Sequence, residues 1–329
     1  METVTVCLTD LNAIVELVLK NLGLNEKERT IVREVLMYAE MRGSDQGLIK
    51  IKERTVLPDA DCTDLKVDVK SPSIATIDGG GHTGMLVLNE AVLAAEKLVA
   101  QTGIALVSTF NTRSSTGSIS YYATKLAKSG MVAMVLAGSP KVMAMHGGVD
   151  PVFGTNPIAV AIPTTDEPLV LDMATAAVTW FSVINARNNN QELPEGTALD
   201  NQGNPTTDPV AAMQGALRSF GGAKGSGLAL MFEMLSSVLG SASIVGDSKD
   251  NRGNTIIAIN PDLVNEGFKQ RASELVIRLK SSCPENPDQD IRLPGEKSTA
   301  RANKCLKENS ISIDAALHRH LLAMASTNT

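Results

Sequence analysis

Between Ser73 and Ile259, short apolar runs of strand length alternate with segments patterned at helical spacing. That alternation points to a mixed α/β architecture. Ser73–Ile77 reads as a strand, Val87–Gln101 as a helix stopped by Gly103, Ile104–Phe110 as a strand, and Ile119–Lys128 as a helix stopped by Gly130. Met131–Ala137, Ile158–Ile162 and Leu169–Asp172 follow as strand-length runs, then Gly225–Leu239 as an apolar helix, Thr255–Ile259 as a strand and Gly267–Lys280 as an amphipathic helix. Ahead of the alternation, Leu11–Leu22 predicts a helix ending at Gly23, and Asn25 with Glu28 predicts a capping box opening the next. A last helix over Asp314–Met324 runs into a Ser-Thr-Asn-Thr tail predicted to be disordered.

The 329 residues, 43% of them hydrophobic, suffice for about two domain-sized units with a sizeable core. A net charge of −6, no Lys/Arg block and only one Trp, three Tyr and six Phe argue against nucleic acid as a partner. No apolar run approaches the roughly 20 residues of a membrane span, and the N-terminus lacks the basic-then-apolar order of a secretory signal. Cys7, Cys62, Cys283 and Cys305 have no paired spacing, which predicts reduced thiols and a cytoplasmic location. His318 and His320 point to different helix faces, and His82 and His146 are single loop histidines, so no metal site is predicted.

Gly79-Gly80-Gly81-His82-Thr83-Gly84 satisfies a dinucleotide-binding spacing, yet no acidic residue ends the following strand, and an ordinary glycine loop is the favoured reading. Phe220–Gly227 leads into a helix whose first amides and Lys224 suit an anion, with tight packing as the equal alternative. Asp172 closes an apolar strand, the place where open α/β sheets put ligand groups and where a capping Asp also occurs. The polar stretch Asn185–Asp208 predicts a functional loop.

Six segments in order carry a family resemblance: Phe153-Gly-Thr-Asn-Pro-Ile-Ala-Val-Ala-Ile-Pro163, Leu169-Val-Leu-Asp-Met-Ala-Thr175, Leu193-Pro-Glu-Gly-Thr-Ala-Leu-Asp200, Gly203-Asn-Pro-Thr-Thr-Asp-Pro209, Gly221-Gly-Ala-Lys-Gly-Ser-Gly-Leu228 and Leu293-Pro-Gly-Glu296. From Arg42 to about Arg301 the chain resembles the malate/L-lactate dehydrogenase family of non-Rossmann NAD(P)-dependent oxidoreductases. The resemblance implies an α/β fold with a non-Rossmann mixed central sheet and a helical lobe built from the two chain ends. It divides the chain into residues 1–70 with 263–329 as the lobe, and 71–262 as the cofactor-binding domain. It also implies a homodimer, NAD or NADP as cofactor, a small carboxylate substrate, and hydride transfer to a 2-oxo acid or cyclic imino acid or the reverse. Ser139, Asp172, Met173, Ala174, Lys224, Gly295, Glu296 and Lys297 are its implied cofactor residues.

The substrate side departs from the family. Where the family has a proton-delivering histidine, this chain has Ser115, a poor proton donor at neutral pH. The family's Ser-His-Gly segment, followed two residues later by Arg, becomes Asp45-Gln46-Gly47-Leu48-Ile49-Lys50, in which Lys50 retains a cation for a carboxylate without the fork of arginine. Asp45, Gln46 and Lys50 are the expected substrate residues, with Ser115 and Asp200 the catalytic candidates; Asp200 matches an aspartate that the family places near the substrate, with a turn cap as its equal alternative. The alternative reading of these departures is a cofactor-binding relative without catalysis, serving as a regulatory or scaffold subunit.

Overall fold

A computed structural model describes residues 2–244 and 251–326. The predicted Thr327-Asn328-Thr329 end of the tail lies outside the described residues, and Ser326 closes the last helix. The centre of the molecule is a seven-stranded sheet in the order Lys66–Ser71, Ile74–Asp78, Ile104–Thr112, Arg252–Ile259, Val132–Ala137, Ile158–Ile162, Leu169–Met173. Only Ile74–Asp78 and Ile104–Thr112 run parallel, joined through helix Gly84–Thr102, while every other neighbouring pair is antiparallel. This mixed sheet is not the all-parallel doubly wound arrangement of a Rossmann domain.

Alanine makes the packing close. Ala75, Ala105, Ala133, Ala159, Ala161 and Ala258 are fully buried on these strands, and the small side chains leave room for the large apolar face of Gly84–Thr102 and for Tyr122 of helix Ser120–Lys128. Gly103 ends the long helix at φ +83°, as its position in the sequence implies.

The two chain ends meet beside this sheet. Thr3–Cys7 pairs antiparallel with Ser310–Asp314, helix Leu8–Asn21 packs on helix Ala315–Ser326, and Asn21 Nδ2 donates to the Met324 carbonyl at 3.0 Å. Helix Glu26–Arg42 opens with the predicted capping box, Asn25 and Glu28 exchanging side-chain-to-backbone hydrogen bonds, and packs against helix Glu296–Glu308. This is the lobe built from both ends.

A second, five-stranded sheet holds short segments in the order Pro205–Thr206, Ala198–Leu199, Ala216–Leu217, Met143–Ala144, Pro151–Phe153. Its own apolar cluster includes Met143, Phe153, Val183 and Leu217. The stretch read as one long loop is thus partly ordered: helix Trp180–Asn188 takes its beginning, and Ala198–Leu199 forms a hairpin with Pro205–Thr206.

The apolar helix expected over Gly225–Leu239 is turned inside out. It comprises helix Ala223–Glu233 and a π-helical turn Met234–Val238, with Ser226, Glu233, Ser236 and Ser237 buried while Leu228, Met231, Met234, Leu235 and Val238 are exposed. The buried polar side is anchored by Asn156, which donates to Glu233 Oε2 at 2.9 Å. Among the described residues, no helix is long and apolar enough to cross a membrane.

Candidate functional site

A cavity of about 740 Å³ opens where the ends of the central strands face the helical lobe. Its size suits a small-molecule or cofactor site. The sheet contributes Gly138 and Ser139 after strand Val132–Ala137, and Asp172, Met173 and Ala174 at the end of Leu169–Met173. The lobe contributes Asp45, Gln46 and Lys50, and the segment Ser114–Ser120 lies between the two.

On the sheet side, the Ser139 hydroxyl lies 3.2 Å from Thr155 Oγ1 and accepts from the Asn156 amide at 3.4 Å. Gly154 permits this approach, since a Cβ there would fall 2.3 Å from Ser139 Oγ. Asp172 accepts from Ser118 Oγ at 3.1 Å. Its carboxylate is open to the cavity and surrounded by protein elsewhere; that loss of water raises its pKa, against hydrogen bonds from Ser120 and Ser118 that lower it. Gly295 reaches the same cavity beside Val170, and a side chain there would collide with the Val170 carbonyl.

On the lobe side, Glu40 accepts from the Leu48 amide at 2.8 Å and packs where Gly47 has no side chain, which fixes the turn carrying Asp45 and Lys50. Burial raises the pKa of Glu40, with the Leu48 amide opposing. Asp45 accepts from Gln46 Nε2 at 3.1 Å and from the Thr179 hydroxyl. Lys50 is 4% exposed, with Nζ 3.7 Å from the centroid of the Phe181 ring. Burial lowers its pKa to about 7. Ser115 lines the cavity, and its Oγ accepts from the Gly117 amide at 3.0 Å.

The cavity therefore gathers Asp45, Gln46, Lys50, Ser115, Ser139, Asp172, Met173, Ala174 and Gly295. Four predicted residues are not brought to it. Asp200 sits exposed in the hairpin turn, where Oδ1 accepts from the Gln202 and Asn204 amides at 2.8 and 2.9 Å and these bonds, the Asn204 amide first, lower its pKa. It is a turn cap, as its alternative reading had it. Lys224 is exposed at the start of its helix, Lys297 is exposed, and Glu296 turns back to Lys280 Nζ at 2.6 Å and the Leu293 amide at 3.0 Å. Gly79–Thr83 is a loop leading into helix Gly84–Thr102, with Gly80 and Gly81 at positive φ; none of Gly79–Gly84 lines the cavity, although Thr83 donates to the carbonyl of the cavity residue Ser115.

None of the four histidines lines the cavity. Trp180, Phe181, Arg42 and Arg252 do, and the sequence reading did not single them out. Trp180 and Phe181 follow Thr179, which caps their helix through the Ser182 amide; that cap is the one local signal that could have marked them. Arg252 donates to the Ser114 carbonyl at 2.9 Å.

The donor set suits the nicotinamide end of a dinucleotide: a hydroxyl, a carboxylate and strand-end backbone line one open wall, beside a buried Ser114 Oγ that has no hydrogen-bond partner among the described residues. Comparison with known proteins agrees. The malate/L-lactate dehydrogenase family profile matches residues 6–322. The chain is 32% identical over 321 residues to L-sulfolactate dehydrogenase of Methanocaldococcus jannaschii, covering 92% of this chain and 91% of that protein. A solved structure of sulfolactate dehydrogenase from the same organism superposes with a TM-score of 0.81 at 30% identity, covering 98% and 96% of the two chains. Ureidoglycolate dehydrogenase (NAD(+)) of Escherichia coli is 29% identical over 97% of this chain and 95% of its own length. A Δ1-pyrroline-2-carboxylate/Δ1-piperideine-2-carboxylate reductase of Pseudomonas putida is 37% identical over 57% of this chain and 56% of its own. The chain belongs to the malate/L-lactate dehydrogenase family of oxidoreductases.

Proposed function

We propose that the protein is an NAD(P)-dependent oxidoreductase that exchanges hydride with a small 2-hydroxy/2-oxo acid or a cyclic imino acid. The observation that carries this reading is the single cavity in which Ser139 and Asp172–Ala174 face Asp45, Gln46 and Lys50. The bound nicotinamide would supply or take up the hydride. Ser139, Asp172, Met173, Ala174 and Gly295 would hold it, Asp172 accepting from a ribose or amide group. Trp180, Phe181 and Ile184 line the cavity with apolar surface that limits water, and Arg252 puts positive charge on the wall for a carboxylate.

A homodimer is part of the proposal, and the exposed apolar side of Ala223–Val238 supports it. On light scattering the protein should run at twice the 34.7 kDa chain mass, and Met231→Glu should shift it toward the monomer. Four free cysteines support a reducing, cytoplasmic setting.

The test of activity is oxidation of NADH or NADPH in the presence of pyruvate, oxaloacetate, glyoxylate, 3-sulfopyruvate, Δ1-piperideine-2-carboxylate or Δ1-pyrroline-2-carboxylate. Turnover on at least one is expected. Saturable cofactor binding with no turnover would replace this reading with the regulatory or scaffold subunit.

A further inference from the structure

We propose that Lys50 is the acid–base group of this site, giving a proton to the substrate's oxygen or imine nitrogen on reduction and taking it back on oxidation. The assignment rests on the hydride-transfer reading above. Lys50 rides on the short helix Ile49–Lys52 and shares the cavity with Ser115, Ser139 and Asp172. Through Nζ it makes no hydrogen bond or ion pair among the described residues; its neighbour is the face of Phe181. A buried ammonium ordinarily keeps a carboxylate partner. One that is bonded to no carboxylate and lies between a ring and an open cavity is placed to meet what enters the cavity.

Several of the other polar groups there are engaged or unsuited. The Tyr38 hydroxyl lies 2.8 Å from Thr124 Oγ1 and donates to the Ser120 carbonyl, Asp45 is held by Thr179 and Gln46, Asp172 accepts from Ser118, and a serine hydroxyl such as that of Ser115 is too weak an acid. The charges acting on Lys50 are mixed: Asp45 and Glu53 favour the ammonium, Arg252 opposes it, and Arg42 and Asp172 complete the charged wall. Burial outweighs them, so ammonium and amine coexist near pH 7, the condition for proton exchange in both directions. Arg252, which keeps its charge at every working pH, is then the better permanent partner for a substrate carboxylate.

In reduction of a 2-oxo acid, a hydride with its electron pair leaves a dihydronicotinamide dinucleotide and forms a C–H bond at C2. The C=O π pair moves to oxygen, an N–H bond of the Lys50 ammonium breaks, and an O–H bond forms. The dinucleotide is oxidised, the carbonyl is reduced, and Lys50 is left as an amine that solvent reprotonates.

Two measurements test the assignment. The first uses the protein without cofactor: urea unfolding of wild type and Lys50→Met between pH 7 and pH 9.5. Because the folded chain holds the Lys50 proton less tightly than the unfolded chain, the wild-type unfolding constant should fall relative to the variant's by a factor approaching ten per pH unit. A pH-independent difference would overturn the proposal. The second is steady-state kinetics with Lys50→Arg, which keeps the cation and cannot release its proton. Wild-type kcat/KM for reduction should decline above about pH 7 and that for oxidation should rise through the same pH. Lys50→Arg should lose about 10²-fold or more in kcat with KM changed only a few-fold. Restoration of kcat by arginine, with the pH limb retained, would make Lys50 a carboxylate clamp and sink the assignment. Absence of wild-type turnover on the whole substrate panel would remove the hydride-transfer reading itself, a failure distinct from arginine rescue.

Discussion

The two walls of the cavity are built differently. Ser139 and Asp172–Ala174 hang from the ends of strands whose backbones are bonded on register, Val132–Ala137 to two neighbours and Leu169–Met173 to Ile158–Ile162. Asp45, Gln46 and Lys50 occupy a turn and a four-residue helix, held by one Glu40 carboxylate, the Asp45–Thr179 contact and the Phe181 ring. The proposed cofactor contacts lie on the sheet wall and the proposed substrate contacts on the lobe wall. A wall fixed by ladder hydrogen bonds tolerates little change in a cofactor contact, whereas a turn on a short helix can exchange side chains without disturbing the sheet.

Variants on each wall should separate accordingly. Asp172→Ala removes a charged acceptor from the sheet wall and should weaken NADH or NADPH binding by roughly 10- to 100-fold, read by fluorescence titration. Gln46→Ala should leave that Kd within about threefold; equal losses from the two would erase the distinction. Gly47→Ala drives a Cβ into Glu40 and should cost about 1–3 kcal/mol of unfolding free energy by breaking its bond to Leu48. Its cofactor Kd should stay near wild type, and a variant as stable as the parent would show that the turn does not depend on Glu40. The smallest effect belongs to Asp200→Asn, outside both walls: kcat within about twofold of wild type. A loss near 100-fold would return proton handling to Asp200.

Much of the sheet was legible because its signals are local. Ile158–Ile162 is an uninterrupted apolar run, Gly103 stops a helix by its own φ, and Asn25 with Glu28 announces a helix start three residues apart. Thr3–Cys7 was not, because its partner Ser310–Asp314 lies some 300 residues away and neither segment has an apolar run to mark it. Helix Glu296–Glu308 buries only Ala302 and Cys305 and is otherwise so polar that no apolar run marks it. In Ala223–Val238 the apolar content is visible in the sequence, but one-chain hydrophobicity does not say which side of a helix faces its own core. On the sheet side of the cavity, Asp172 through Ala174 were readable as a group because they are consecutive at a strand end. The lobe wall is completed by Phe181 and Arg252, which come near Lys50 only through tertiary folding, and nothing at position 50 alone reveals that the amine is buried.

The pairing of Thr3–Cys7 with Ser310–Asp314 also dictates an order of assembly on the ribosome. A nascent chain can close the sheet wall once Arg252–Ile259 has emerged, since that strand bridges Ile104–Thr112 and Val132–Ala137. Helix Glu26–Arg42, which leads directly into the Asp45–Lys50 turn, must wait for Glu296–Glu308 to pack against it. Synthesis thus delivers the sheet wall early and the wall bearing Lys50 last, so a polypeptide stalled or clipped short of Ser310 would carry every residue of the cavity without the means to hold its two sides together.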